Sequence, residues 1–209
     1  MYKMLNKRTL HSTCEKLADR DPQLARVMEI YGTPPLWNRE PGFATLVHII
    51  LEQQVSLASA LSAFEKLNAK LVEITPENLL SLSDDEMKCC YFSRQKTGYV
   101  RDLAAAILEN RLDLDALNAL PDEQAKTELE KVKGIGKWTS DIYLLMVMLR
   151  TDVMPKGDIA LHSAYQKLFG LEKRPGADEF IELAEKWKPH RSAAARMLWH
   201  FYLSERAKK

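Results

Sequence analysis

Cysteine is scarce in this 209-residue chain, which carries only Cys14, Cys89 and Cys90. An odd count with two of them adjacent makes a poor disulfide framework and contains no C-x-x-C metal pair, so the thiols read as reduced and structural. No cysteine lies beyond Cys90, and an iron–sulfur cluster needs a set of thiolates this chain does not have. Long apolar runs are missing as well. None approaches the roughly 20 residues of a membrane-spanning helix. The opening Met1-Tyr2-Lys3-Met4-Leu5-Asn6-Lys7-Arg8 lacks the apolar stretch and small-residue cleavage site of a signal peptide. Charge of one sign is also lacking: the net charge is +1. The chain as a whole therefore announces neither a polyanionic nor a membrane partner, and any such partner must be argued from local placement.

Glycine is sparse, with 8 residues that sit at breaks rather than inside periodic runs. Alternating, strand-like patterns are rare and helical spacing recurs throughout. With 46% hydrophobic residues, a chain of this length can bury a real core, in one domain or two subdomains. Asp21-Pro22 reads as an N-cap followed by proline at the first helical position, opening a helix with Leu24, Val27, Met28 and Tyr31. A connector with three prolines runs from Gly32 to Gly42. Phe43, Leu46, Val47, Ile50 and Leu51 then share one helical face, and Leu57, Leu61, Phe64, Leu67 and Leu71 predict a second helix. Thr75-Pro76-Glu77 and Ser83-Asp84-Asp85-Glu86 look like helix starts, the latter a capping box. Helices are also expected over about 94–110, from Pro121 to about Val132, through Trp138, Ile142, Leu145, Met146 and Leu149, from Asp158 to about Phe169, and from near Ala177 and His190. The reading is all-α.

Lys133-Gly134-Ile135-Gly136 joins two of these helices through a G-x-G turn. Glycine permits a tight turn that presents several backbone N–H groups at the start of the next helix, where the dipole favours an anion. Lys131, Lys133 and Lys137 add charge beside them. A nucleic-acid phosphate is a natural partner, although an ordinary helix–turn–helix corner with solvated lysines has the same composition.

The string Val132-Lys133-Gly134-Ile135-Gly136-Lys137-Trp138-Thr139-Ser140, followed by Pro155-Lys156-Gly157-Asp158, resembles the helix-hairpin-helix DNA glycosylases of base excision repair, and among them the 3-methyladenine branch. Asp158 stands 20 residues past Trp138, the spacing at which that family holds its essential aspartate. Leu51-Glu52-Gln53-Gln54-Val55-Ser56 is similar to the family's Q-x-V-S helix junction. Ser93-Arg94-Gln95-Lys96 opens the helix before the hairpin, and Trp187-Lys188-Pro189-His190-Arg191-Ser192 is similar to its W-x-P-x-R-S segment. Larger relatives carry an additional N-terminal β-rich domain for which these residues leave no room, so the compact all-helical form is expected.

The resemblance implies two helical subdomains flanking a DNA-binding and active-site cleft. One would span about 42–152, with the hairpin at 121–149, and the other 1–41 plus 153–209. Asp158 would be catalytic. Alone it reads as an N-cap, and the roles are compatible, since a helix N-terminus favours the charged carboxylate that would stabilise an oxocarbenium-like sugar and orient or deprotonate the attacking water. No second carboxylate is evident, and a cationic alkylated purine needs no dedicated acid.

Trp138 stands where lyases of the superfamily carry a Schiff-base lysine. Indole cannot do that chemistry, and Lys137 points about 100° away around the helix. Trp138 reads either as core or as a pocket wall whose electron-rich face attracts a cationic base. Ile142, Tyr143 and His190 are the further base-pocket candidates, in a pocket less aromatic than that of the larger relatives. His190 could equally cap the last helix. Gln54, with Gln53 second, would be the wedge that fills the stack when a nucleotide is flipped out, the alternative being a solvated polar residue.

Lys133, Gly134, Ile135, Gly136, Lys137, Thr139 and Arg191 would hold phosphates, with Lys186 and Lys188 as further candidates. No side-chain metal site or organic cofactor is expected; a monovalent cation bridging hairpin carbonyls and a phosphate is implied by the resemblance. The partner would be duplex DNA containing alkylated bases, met by a monomer in the cytoplasm of a bacterium or the nucleus of a eukaryote, without a membrane. Two other readings stay open: a glycosylase for deaminated or oxidised bases, and an inert DNA-binding module in which Asp158 only caps.

Overall fold

The computed structural model describes residues 4–208. In chain order its helices are α1 (Lys7–Ala18), α2 (Pro22–Tyr31), α3 (Phe43–Glu52), α4 (Leu57–Lys70), α5 (Pro76–Leu80), α6 (Asp84–Cys89), α7 (Arg94–Leu108), α8 (Asp122–Glu130), α9 (Lys137–Met146), α10 (Ile159–Phe169), α11 (Ala177–Leu183) and α12 (Arg191–Ala207). Two 3₁₀ turns, Ala116–Ala119 and Ala184–Trp187, complete the set. Apart from an isolated antiparallel bridge between Met4 and Arg150, the described residues contain no β-structure.

The helix starts follow from side chains that satisfy first-turn N–H groups. Asp21 accepts from the N–H groups of Gln23 and Leu24 at 3.1 and 3.4 Å, with Pro22 at the first helical position. Ser83 and Glu86 form the expected capping box, the Ser83 N–H donating to the Glu86 carboxylate at 2.9 Å. Helix α1 went unanticipated, although Asn6 and Thr9 box its start reciprocally at 2.8 and 2.9 Å. The apolar stripe expected on α4 also needs correction. Leu57 and Leu61 are exposed, whereas Ala60, Ala63 and Leu67 are buried. Small side chains let α4 lie close against α3, and the rows of alanine fix the contact face more than the leucines do.

The chain divides into two compact units, one taking the residues up to Asn38 and from Leu144 onward, the other Arg39–Tyr143. The sequence boundaries at about 41/42 and 152/153 differ from these chiefly at the second, which falls inside α9 rather than in the loop after it.

In the Arg39–Tyr143 unit, α3 packs on α4 and α7, and α5 and α6 pack on α7. Leu46, Val47, Ile50, Leu67, Val100 and Leu103 form its dry centre. Each such side chain contributes on the order of 1.5–3 kcal/mol by leaving water. Arg39 grips Glu52 through both terminal nitrogens at 2.9 and 2.7 Å, fastening the proline-rich connector to the C-terminal end of α3. In the other unit α12 is central, packing on α1, α2 and α10. Its Arg196 is wholly buried and donates to the carbonyls of Leu36, Leu145 and Ser192 at 2.8, 2.8 and 3.1 Å.

Candidate functional site

The hairpin between α8 and α9 is shaped from beneath by α7. Gly134 adopts φ +93°, and a Cβ at this position would overlap the Tyr99 ring, so only glycine fits both the conformation and the approach. Asp102 accepts from the Lys133 N–H at 2.8 Å, and the Ile135 N–H turns back to the Val132 carbonyl at 3.1 Å. These two expected phosphate-binding amides are therefore spent inside the turn, and Ile135 itself is buried as an apolar anchor.

What faces outward is the head of α9. Its first-turn N–H groups, beginning at Gly136 and Lys137, have no intrahelical acceptors, and the Lys133 and Lys137 side chains are exposed. Lys131 is engaged with Glu128 at 2.6 Å. The Thr139 side chain is turned away from the surface. It is 2% exposed and its hydroxyl accepts from Gln53, because at this point the helix surface turns inward. The Val132 and Gly134 carbonyls each accept one hydrogen bond within the chain. A carbonyl oxygen has two lone pairs, so each can accept a second bond.

The turn after α3 holds the two glutamines in different ways. Gln54 is exposed and takes φ +56°, a left-handed conformation uncommon for a residue with a side chain. Gln53 points back into its own unit, its amide donating to the Gly134 carbonyl at 2.8 Å and to Thr139 Oγ1 at 2.9 Å. It is thus unavailable as a wedge. Behind the turn, Lys96 donates to the Leu51 carbonyl at 2.6 Å, and partial burial depresses its basicity.

Asp158 belongs to the other unit. Gly157, at φ +82°, turns the chain into it, and the carboxylate caps α10. Its Oδ1 accepts from the Leu161 N–H at 2.9 Å and from the Trp199 indole N–H at 3.3 Å, and the residue is 8% exposed. One turn on, His162 bonds the Pro175 carbonyl through Nδ1 at 3.1 Å and lies against Phe180; burial lowers its pKa.

The remaining pocket candidates separate. Trp138 and His190 are half-buried, and His190 does not cap α12 with its ring. Ile142 and Tyr143 are 2% and 1% exposed, so the structure makes them core rather than an open pocket wall. They lie on the inward stripe of α9, and burial pushes the Tyr143 phenol up to about 12. Arg191 is also corrected: its fork grips the Asp152 carboxylate at 2.9 and 3.0 Å and reaches Glu185 at 3.1 Å. A guanidinium satisfied bidentately has little left for a phosphate. Lys186 pairs with Asp21 at 2.9 Å and Lys188 with Glu185 at 2.7 Å.

Three residues escaped the sequence reading: Trp199 beside Asp158, and Tyr99 and Asp102 beneath the hairpin. Trp199 follows Ser192 by seven residues, two helical turns and so one face, which was the available signal. Tyr99 and Asp102 likewise share a face of α7 at a spacing of three, but nothing in the string says what that face meets.

An all-helical chain with a glycine hairpin and a buried, helix-capping aspartate downstream defines a class of DNA repair proteins. The family model for HhH-GPD superfamily base excision DNA repair proteins matches residues 47–190, and the chain belongs to that superfamily. It is similar to DNA-3-methyladenine glycosylase 1 of Schizosaccharomyces pombe, at 26% identity over 191 residues that cover 88% of this chain and 83% of that one. It also resembles a Bacillus subtilis protein provisionally named DNA-3-methyladenine glycosylase YfjP, at 27% identity over 184 residues. That match takes in 84% of this chain but spans only 64% of the relative's length. Among solved structures, the Schizosaccharomyces pombe 3-methyladenine DNA glycosylase in complex with abasic DNA superposes with a TM-score of 0.84 at 25% identity, covering 90% of this chain and 95% of that one.

Proposed function

We propose that this protein is a monofunctional DNA glycosylase that hydrolyses the N-glycosidic bond of alkylated purines, 3-methyladenine and 7-methylguanine, in duplex DNA. The observation that carries the reading is Asp158. A carboxylate 8% exposed, fixed at a helix N-terminus by a backbone and an indole N–H, is costly to bury and is placed as a preorganised negative charge.

As the bond between C1′ and the purine breaks, the electron pair leaves with the base and the sugar becomes oxocarbenium-like. The fixed carboxylate stabilises that charge and orients or deprotonates the water that adds to C1′. A purine that is already cationic departs neutral and needs no general acid. Trp138 stands where a lyase would carry its amine, so no Schiff base forms and the strand is left intact. Trp138 would instead offer its ring face to the cationic base. The head of α9, with Lys133 and Lys137, anchors phosphate without reading sequence, and a monovalent cation on the hairpin carbonyls would add to that anchor. Gln54 enters the stack. The names of the relatives support this substrate class.

The test is base release. Wild type and Asp158→Asn are incubated with methylated duplex DNA, released bases are separated by chromatography, and strand nicking is scored without alkali. Asparagine keeps the shape and the cap while removing the charge. Methylated adenine released by the wild type, lost in the variant and unaccompanied by nicking, is the expected result. No release by the wild type sinks the alkylpurine reading.

A further inference from the structure

We propose that Gln53 is a positioning residue that locks the turn carrying Gln54 onto the hairpin, so that phosphate anchoring and insertion into the base stack act in one fixed register. The proposal rests on the glycosylase reading above and on Gln54 as the inserting side chain.

The Gln53 amide gives both its N–H bonds to the hairpin segment, one to the Gly134 carbonyl at 2.8 Å and one to Thr139 Oγ1 at 2.9 Å. A carbonyl can only accept, so the orientation of the amide is set by its partner. Those acceptors lie 81 and 86 residues away in the chain, and both are themselves immobilised. Gly134 is pressed on the Tyr99 ring, Asp102 holds the preceding Lys133 N–H, and Thr139 is buried in the first turn of α9.

On the other side, Gln53 is where the backbone leaves α3, at ψ 122°, and Gln54 follows in the left-handed region. Such a conformation costs on the order of 1–2 kcal/mol for a residue with a Cβ and persists only where its surroundings over-determine it. The turn is held on several sides, among them by Arg39 on Glu52, Lys96 on the Leu51 carbonyl, Ser56 capping α4, and Gln53 on the hairpin. Of these, the Gln53 bonds are the ones that tie Gln54 to the phosphate-binding element. When they are lost, the hairpin can still hold a phosphate and Asp158 is untouched, but the inserting side chain no longer has a defined reach.

The role makes a coupling prediction. Gln53→Met keeps the length and removes both donors; Thr139→Val leaves the Gly134 bond and removes one acceptor. Each is made alone and with Gln54→Ala, and folding is verified by thermal melting. Binding is then measured to an intact duplex and to the same duplex carrying a reduced abasic analogue, which requires no chemistry.

With Gln54 present, Gln53→Met should reduce the preference for the abasic duplex about tenfold, and Thr139→Val by less. With Gln54→Ala, both effects should fall below about twofold, because residues acting through one another are non-additive. An equal loss in both backgrounds, or no loss in either, overturns the proposal. Absence of any abasic preference in the wild type overturns it together with the glycosylase reading. Intact abasic preference and coupling, with no methylated base released, would remove the alkylpurine assignment and leave the role of Gln53 standing.

Discussion

The indole N–H of Trp199 and the backbone N–H of Leu161 converge on one carboxylate oxygen, Oδ1 of Asp158, at 3.3 and 2.9 Å. Two donors on one oxygen fix the rotamer of the carboxylate and stabilise its negative charge. Trp199→Phe removes the side-chain donor and keeps most of the ring. A hydrogen bond to a charged group contributes about 1.5 kcal/mol, so single-turnover base release should fall about tenfold while KM for methylated duplex stays unchanged. A variant that melts earlier yet releases base at the wild-type rate would show that Trp199 only packs.

The hairpin depends on a glycine for two separate reasons. Gly134→Ala meets both a positive φ and the Tyr99 ring, and should destabilise the protein by at least about 2 kcal/mol in urea unfolding. It should also weaken duplex binding regardless of sequence. Lys133→Ala, on an exposed side chain, should leave unfolding unchanged and make the slope of log affinity against log salt shallower by about one. An unchanged salt slope would remove Lys133 from the phosphate contact.

Much of this arrangement was legible in the string, and its limits have physical causes. Caps are local, so Asp21, Ser83 and Asp158 identified their helices directly. The glycine turn was legible because a positive φ leaves a residue-type signature. Which polar side chain points outward was not. Gln53 and Gln54 are adjacent and identical in type, and what separates them is a contact to Gly134 far along the chain. The Arg191 guanidinium and the Thr139 hydroxyl turn to partners inside the chain for the same reason: Asp152 and Gln53, which engage them, are distant or unmarked in sequence. Leu57 and Leu61 misled because hydrophobicity gives a stripe's presence, while close packing chose the alanines beside it.

Two histidines contribute to the acid side of the stability curve. Burial lowers the pKa of His48, with Glu52 opposing and Arg39 assisting; burial likewise lowers that of His162, against the Pro175 carbonyl and Asp158 and with Arg174. Between their folded values and the ordinary 6.5, the unfolded chain binds more protons than the native one. Stability should therefore rise with pH through that window and fall as pH drops below about 6.5. His48→Phe preserves the stack on Phe64, now at a centroid distance of 4.4 Å, and removes one titrating group. Urea midpoints measured between pH 7 and 5 should decline less steeply in this variant. A slope identical to wild type would exclude His48 as a contributor.

Arg196 tests whether a buried charge on the central helix of the unit that carries Asp158 serves structure alone. It is 0% exposed, and burial lowers its pKa to about 10, which leaves it charged at neutral pH. Its three acceptors, Leu36, Leu145 and Ser192, come from the connector after α2, the end of α9 and α12. A lysine has no planar fork to reach all of them. Arg196→Met leaves the carbonyls without those donors and should cost about 3 kcal/mol, lowering the urea midpoint without changing the denaturant slope. Arg196→Lys should recover only part of that loss. Because none of its bonds reaches Asp158, base release per folded molecule should match wild type in both variants. A fall in release with an unchanged midpoint would instead make Arg196 part of the machinery that sets the carboxylate.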